Sequence, residues 1–123
     1  MPKPRILVVD DDEAVLDYLQ AVIGGRYDLV TTNAPDNVLK LAHEHRPDVI
    51  LCDIDMPEMD GGDVSAALFT DERLRDIPVL FLTGLAMPAE IRRSKGQLGG
   101  RPAVSKTAKV EELVAEIEKL LRR

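Results

Sequence analysis

Cysteine is nearly absent from this chain: Cys52 is the only one in 123 residues. A single thiol excludes an intramolecular disulfide framework and a cysteine-rich zinc site. Positive charge is also short. Sixteen Lys and Arg face 22 Asp and Glu, for a formal net charge of −6, which argues against a broad electropositive surface for nucleic acid. No apolar run approaches the ~18 residues of a membrane-crossing helix. The N-terminal stretch leads into only four apolar residues, Ile6-Leu7-Val8-Val9, too few for the core of a secretory signal. Internal repeats, low-complexity tracts and linkers are missing too. These absences predict a cytoplasmic protein with no direct role at nucleic acid or membrane. What is present suffices for one domain over residues 1–123, since a chain of this length buries more than ~60% of its unfolded surface. Hydrophobic residues at 45% and charged residues at 31% are the balance of a folded domain, not a disordered one.

Short apolar runs alternate with helical patterns. Ile6-Leu7-Val8-Val9 stops at three aspartates, Val49-Ile50-Leu51-Cys52 at Asp53, and Val79-Leu80-Phe81-Leu82 at Thr83. Unbroken apolar runs of this length suit central parallel strands covered on both faces. The more polar residues 27–32 read as one edge strand, and Ala103-Val104-Ser105 as the other. Between them, Val15, Leu19, Val22 and Ile23 share a helical face that Gly24-Gly25 stops. Pro35 suits a first helical turn, Val38, Leu41 and Ala42 share a face, and Pro47 ends that segment. A third helix begins near Asp63 with Val64, Ala67 and Leu68, and a fourth runs from Pro88 to Gly96. The stretch from Gly96 to Gly100 reads as a loop. The last helix carries Val110, Leu113, Val114, Ile117, Leu120 and Leu121, with Glu111 and Glu112 early and Arg122 and Arg123 at its end, as the helix dipole prefers. Five strands alternating with five helices predict an α/β fold, a doubly wound five-stranded parallel sheet of order 2-1-3-4-5.

In such sheets ligands sit beyond the carboxyl ends of the strands. Asp10, Asp11 and Asp12 follow the first strand, Asp53 and Asp55 the third, Thr83 and Gly84 the fourth, and Lys106 the last. Crowded carboxylates repel one another unless a cation sits among them. An all-oxygen set without histidine or cysteine favours Mg²⁺ over zinc. A hard cation plus one lysine holds a phosphoryl group, and an aspartate beside the pair can attack phosphorus and become an acyl phosphate. One aspartate at a strand end is ordinarily a solvated cap; acids, a threonine and a lysine at several strand ends form a set.

These residues resemble those of the receiver domain of two-component response regulators, whose minimal example is the chemotaxis regulator, with its flavodoxin-like fold. The resemblance spans the chain. It rests on Val8-Val9-Asp10-Asp11, on Asp53-Ile54-Asp55-Met56-Pro57-Glu58-Met59-Asp60-Gly61, on Thr83-Gly84 and on Lys106. It implies that Asp53 is the phosphoacceptor for a sensor histidine kinase or phosphotransfer protein. Asp11 would ligate Mg²⁺ directly, Asp10 through water, Asp53 by its carboxylate and Asp55 by its backbone carbonyl. Thr83 and Lys106 would bond phosphoryl oxygens, and Gly84 would keep that site open. The signal would pass by conformational change to a downstream protein or an output domain, so that the protein is a switch and not a metabolic enzyme. Two positions depart from the family pattern: Thr107 stands where a proline usually follows the lysine, often after a cis bond, and Ala103 stands where an aromatic is usual. A cis bond before a non-proline residue costs ~2.5–4 kcal/mol, and lysine's stem is long, so a trans Lys106–Thr107 bond is expected.

Two other functions fit parts of the pattern. Asp53-Ile54-Asp55 is similar to the Asp-x-Asp of haloacid-dehalogenase-type phosphatases, but those place a further acidic pair after the lysine, where this chain has a helix. A receiver that binds partners without being phosphorylated would accommodate Ala103 and Thr107. Elsewhere the bland reading is the stronger. Asp12 caps the first helix, Cys52 is a small core residue, and Met56 and Met59 pack. His43 and His45 lie on an exposed helix without a partner, and Arg92, Arg93, Lys95 and Arg101 form a solvated patch, with partner docking as its second reading.

Overall fold

The computed structural model describes residues 3–54, 61–84, 97–98 and 101–122. In chain order the elements are β1 (Arg5–Val9), α1 (Glu13–Ile23), β2 (Asp28–Thr32), a 3-10 turn (Pro35–Asn37), α2 (Val38–His45), β3 (Val49–Asp53), α3 (Gly61–Phe69), β4 (Val79–Thr83), β5 (Gln97–Leu98), β6 (Arg101–Ser105) and α4 (Val110–Leu121). The strands lie in the order β2-β1-β3-β4-β6-β5. All pairings are parallel except the two-residue β5, which runs antiparallel to β6. With β6 as the fifth parallel strand, the order is the expected 2-1-3-4-5.

The unbroken apolar runs are explained by two cores, one on each face of the sheet. Side chains alternate along a strand, so Ile6, Val8, Val49, Leu51, Leu80, Leu82 and Val104 meet α1 and α4 on one face. Leu7, Val9, Ile50, Cys52, Val79, Phe81 and Ala103 meet α2 and α3 on the other. Cys52 is fully buried, as expected of a small core residue.

Several boundaries differ from the sequence expectation, each for a local reason. On α1 the buried stripe is Leu16, Leu19 and Ile23. Val22 lies beside that stripe and stays 38% exposed. Pro35 opens a 3-10 turn rather than the α-helix itself. Helix α2 ends at Arg46, whose φ of 50° and ψ of 61° are left-handed, because Pro47 disfavours a helical residue before it. Helix α3 starts at Gly61, before Asp63. The expected edge strand Ala103-Val104-Ser105 starts earlier, at Arg101, and is not the outermost: Gln97-Leu98, inside the stretch expected as loop, form β5 beyond it and pair with Arg101 and Pro102. The expected helix from Pro88 to Gly96 lies outside the described residues. No helix among the described residues is long and apolar enough to cross a membrane.

Candidate functional site

The parallel sheet brings the ends of β1, β3, β4 and β6 to one edge. Asp10 follows β1, and its N–H donates to the Thr32 carbonyl at 3.2 Å, continuing the ladder. Asp53 and Thr83 are the last residues of β3 and β4. The Lys106 N–H donates to the Thr83 carbonyl at 3.0 Å, which fixes where the lysine leaves β6. Three of the predicted acids converge: Asp10, Asp11 and Asp53 each offer a carboxylate oxygen within 4.8 Å of the others. Asp10 and Asp53 are fully buried, and Asp11 is exposed.

The Lys106 ammonium reaches into this cluster. Its Nζ lies 2.9 Å from Asp10 Oδ2 and 3.2 Å from Asp53 Oδ2, with 23% of its side chain exposed. Burial pushes the ammonium's pKa down, but hydrogen bonds and charge from Asp10 and then Asp53 outweigh that, and the net direction is up. The group therefore stays cationic at neutral pH. Buried carboxylates are tolerated only with such a partner. Asp10 Oδ1 also accepts the Asp12 N–H at 2.9 Å. Three carboxylates against one ammonium leave a formal excess of two negative charges, and every acidic donor is an oxygen, which is the donor set of a hard divalent cation such as Mg²⁺. The residues fit the ion.

Asp12 does what was expected of it, accepting the Ala14 N–H at 2.9 Å as the N-cap of α1. Thr83 is buried at the end of β4, one strand from Asp53. Among the described residues, a Cβ built on Gly84 meets nothing within 4 Å. Asp55, with its backbone carbonyl, lies outside the described residues, as do Met56, Met59, Arg92, Arg93 and Lys95. The Lys106–Thr107 bond is trans, like every described peptide bond.

Sequence reasoning missed two contacts. His43 has a partner after all: its Nε2 lies 2.7 Å from Asp71 Oδ2, joining α2 to the turn after α3. That hydrogen bond is the main reason the Asp71 carboxyl sits below its ordinary 3.8. Their separation of 28 positions in the sequence hid the pair. The second contact flanks the lysine. Ser105 Oγ accepts the Thr107 N–H at 3.1 Å and lies 2.8 Å from Thr107 Oγ1. Its sequence signal was two hydroxyl residues spaced i, i+2, the pattern of a side-chain turn.

A family model described as the response regulator receiver domain matches residues 6–118. The polar-differentiation response regulator DivK of Brucella anthropi is 35% identical over 122 residues, covering 98% of both chains. Among solved structures, the N-terminal domain of a response regulator receiver protein from Methanoculleus marisnigri is 31% identical, with 97% of each chain covered and a TM-score of 0.70. The signal receiver domain of a histidine kinase from Syntrophus aciditrophicus is 29% identical, with a TM-score of 0.79 over 97% of this chain and 90% of that one. Chemotaxis protein CheY4 of Vibrio cholerae, at 24% identity, shares the fold with a TM-score of 0.81 over 97% and 99% of the two chains.

Proposed function

The chain belongs to the response regulator receiver family, two-component signalling domains phosphorylated on aspartate, and on that premise we propose that Asp53 is its phosphoacceptor. Asp10 and Asp11 form the acidic pocket, and Thr83 and Lys106 meet the transferred oxygens. The observation that carries the reading is the Lys106 ammonium held 3.2 Å from Asp53 and 2.9 Å from Asp10, inside a three-aspartate cluster.

The donor is a phosphohistidine on a sensor histidine kinase or a phosphotransfer protein. An Asp53 carboxylate oxygen attacks phosphorus. The O–P bond forms as the P–N bond breaks, and the electron pair stays on the imidazole nitrogen, which takes up a proton. The sheet holds Asp53 still at the end of β3, so the attack needs little reorganisation. Lys106 presents a fixed positive charge where phosphoryl charge arrives, and the Thr83 hydroxyl supplies a neutral donor. Receiver domains bind Mg²⁺ in this acidic pocket; Asp10, Asp11, Asp53 and the Asp55 carbonyl would hold it, and when bound it neutralises charge on the phosphoryl oxygens. The product is a switch read by a downstream protein or an output domain, within one receiver domain over residues 1–123 that works in the cytoplasm.

The test is incubation with acetyl phosphate and Mg²⁺, followed by intact mass and peptide mapping. A gain of about 80 Da at Asp53, lost in Asp53→Asn, is expected of an acyl phosphate. Turnover of many phosphoesters would point instead to the haloacid-dehalogenase chemistry, and no adduct to an interaction module.

A further inference from the structure

We propose that the Ser105–Thr107 hydroxyl pair is a positioning device for Lys106, which it holds from both sides so that the ammonium stays aimed at Asp10 and Asp53. The proposal rests on the assignment of Lys106 above, and deepens it.

Lys106 is enclosed by four hydrogen bonds that do not involve its own side chain. Its N–H donates to the Thr83 carbonyl at 3.0 Å, and the Ala108 N–H donates to the Ser105 carbonyl at 3.0 Å. Between them, the Thr107 N–H donates to Ser105 Oγ at 3.1 Å, and the two hydroxyls lie 2.8 Å apart. Ser105 is 7% exposed, so its hydroxyl has little access to water and depends on Thr107. The backbone thus leaves β6 in a closed turn whose centre is the lysine, and the lysine stem starts from a fixed Cα.

This interlock is open only to a residue with a backbone N–H at position 107. Proline there would fix φ but remove the donor that Ser105 accepts. Thr107 fixes nothing by itself; together with Ser105 it closes a side-chain turn of the i to i+2 kind. The two residues are therefore one device, and it operates on a trans Lys106–Thr107 bond. Lysine carries four rotatable stem bonds, so the reach of its Nζ to two oxygens at once is sensitive to where the stem begins. Misplacement of a catalytic group by about 1 Å costs up to ~100-fold in rate.

The experiment measures the rate of Asp53 modification by acetyl phosphate at saturating Mg²⁺, in Ser105→Ala, Thr107→Val and Thr107→Ser, each alone and with Lys106→Ala. Ser105→Ala should slow the reaction about tenfold and Thr107→Val about threefold, while Thr107→Ser restores the parent rate. In the Lys106→Ala background, Ser105→Ala should change the rate less than about twofold, because a positioning residue has nothing left to position. A second readout needs no phosphorylation: the Nζ resonance of Lys106 in ¹⁵N-lysine-labelled protein should be resolved in the parent and lost to exchange in Ser105→Ala. Equal slowing with and without Lys106, or an unchanged Nζ resonance in Ser105→Ala, overturns the proposal. If Ser105→Ala does not fold, Thr107→Val carries both measurements. If the parent takes no phosphoryl group while the resonance behaves as stated, the phosphoacceptor reading falls and the positioning role stands.

Discussion

Replacing Lys106 with methionine is the perturbation whose size the structure fixes best. Methionine keeps most of the stem's volume and deletes the charge. The ammonium lies 2.9 Å from Asp10 Oδ2 and 3.2 Å from Asp53 Oδ2, and both acids are fully buried. Removing one partner of a fully buried ion pair costs about 3–5 kcal/mol, because the other charge is left in a poor medium. Here the lysine keeps 23% of its side-chain exposure, and water reaches the vacated place, so the cost in divalent-free buffer is about 2–4 kcal/mol. For a domain of this length, each kcal/mol moves the melting midpoint by roughly 3–5 °C.

The assay is urea and thermal unfolding in EDTA, repeated with excess Mg²⁺. A ligand at 100 times its Kd adds about 2.7 kcal/mol to the folded state, so the gap between variant and parent should narrow once a cation shares the cluster. Asp53→Asn is the control of opposite sign. It removes one of three crowded negative charges and leaves Lys106 with Asp10, so it should be at least as stable as the parent in EDTA. A Lys106→Met variant within about 0.5 kcal/mol of the parent in EDTA, below the low end of the expected cost, would refute the argument that the ammonium compensates buried charge. A clear loss in Asp53→Asn would refute the argument that the cluster is over-charged.

Asp11→Ala should abolish stabilisation by Mg²⁺, since Asp11 is the exposed member of the three-acid cluster; equal stabilisation in a thermal shift assay would place the ion elsewhere. Tyr27 donates to Glu118 Oε2 at 2.6 Å, and burial, then that bond, push its hydroxyl up to about 12. A raised folded pKa stabilises fully below the unfolded value near 10 and fades as pH climbs through 12. Urea midpoints of Tyr27→Phe should therefore report a loss of about 1–2 kcal/mol at pH 8 and a smaller decline than the parent between pH 10 and 12. Arg46→Gly should stabilise by about 0.5 kcal/mol, because the exposed Arg46 holds a left-handed φ of 50° at the end of α2, where glycine carries no Cβ penalty; a lower midpoint would show that the arginine side chain contributes there.

The sheet was legible because burial on both faces writes each inner strand as an unbroken apolar run, and because each run ends on a polar residue at the functional edge. Asp10, Asp53, Thr83 and Lys106 could be placed together before any coordinate was known, since parallel strands put all carboxyl ends on one side. Contacts across the chain were not legible. His43 and Asp71 meet only because α2 and the turn after α3 cover the same face of the sheet, and no local pattern announces that. Leu16 displaced Val22 from the α1 stripe because a sequence face is about three residues wide, and only the packed sheet chooses its centre. Strand β5 was hidden by its length: two residues carry no period.

The two departures from the family pattern have local answers in the structure. Thr107, in place of proline, is met by Ser105, two residues back. Ala103, in place of an aromatic, is met across the ladder. Ala103 and Phe81 are direct partners in the β4–β6 register, and both point into the core shared with α2 and α3. Ala103 is only 3% exposed despite its small side chain, because a large residue on one strand beside a small one on the next fills the same layer. The ring of this layer stands on β4. Phe81 is itself 3% exposed, and taking a buried phenylalanine out of a core costs about 3–5 kcal/mol in truncation series, so this ring is a fixture of the core and not a side chain free to swing. Thr83 lies two residues further along the same strand and on the same side of it. The Thr83 carbonyl is in turn joined to β6 by the Lys106 N–H at 3.0 Å. That ladder bond leads directly into the Ser105–Thr107 turn.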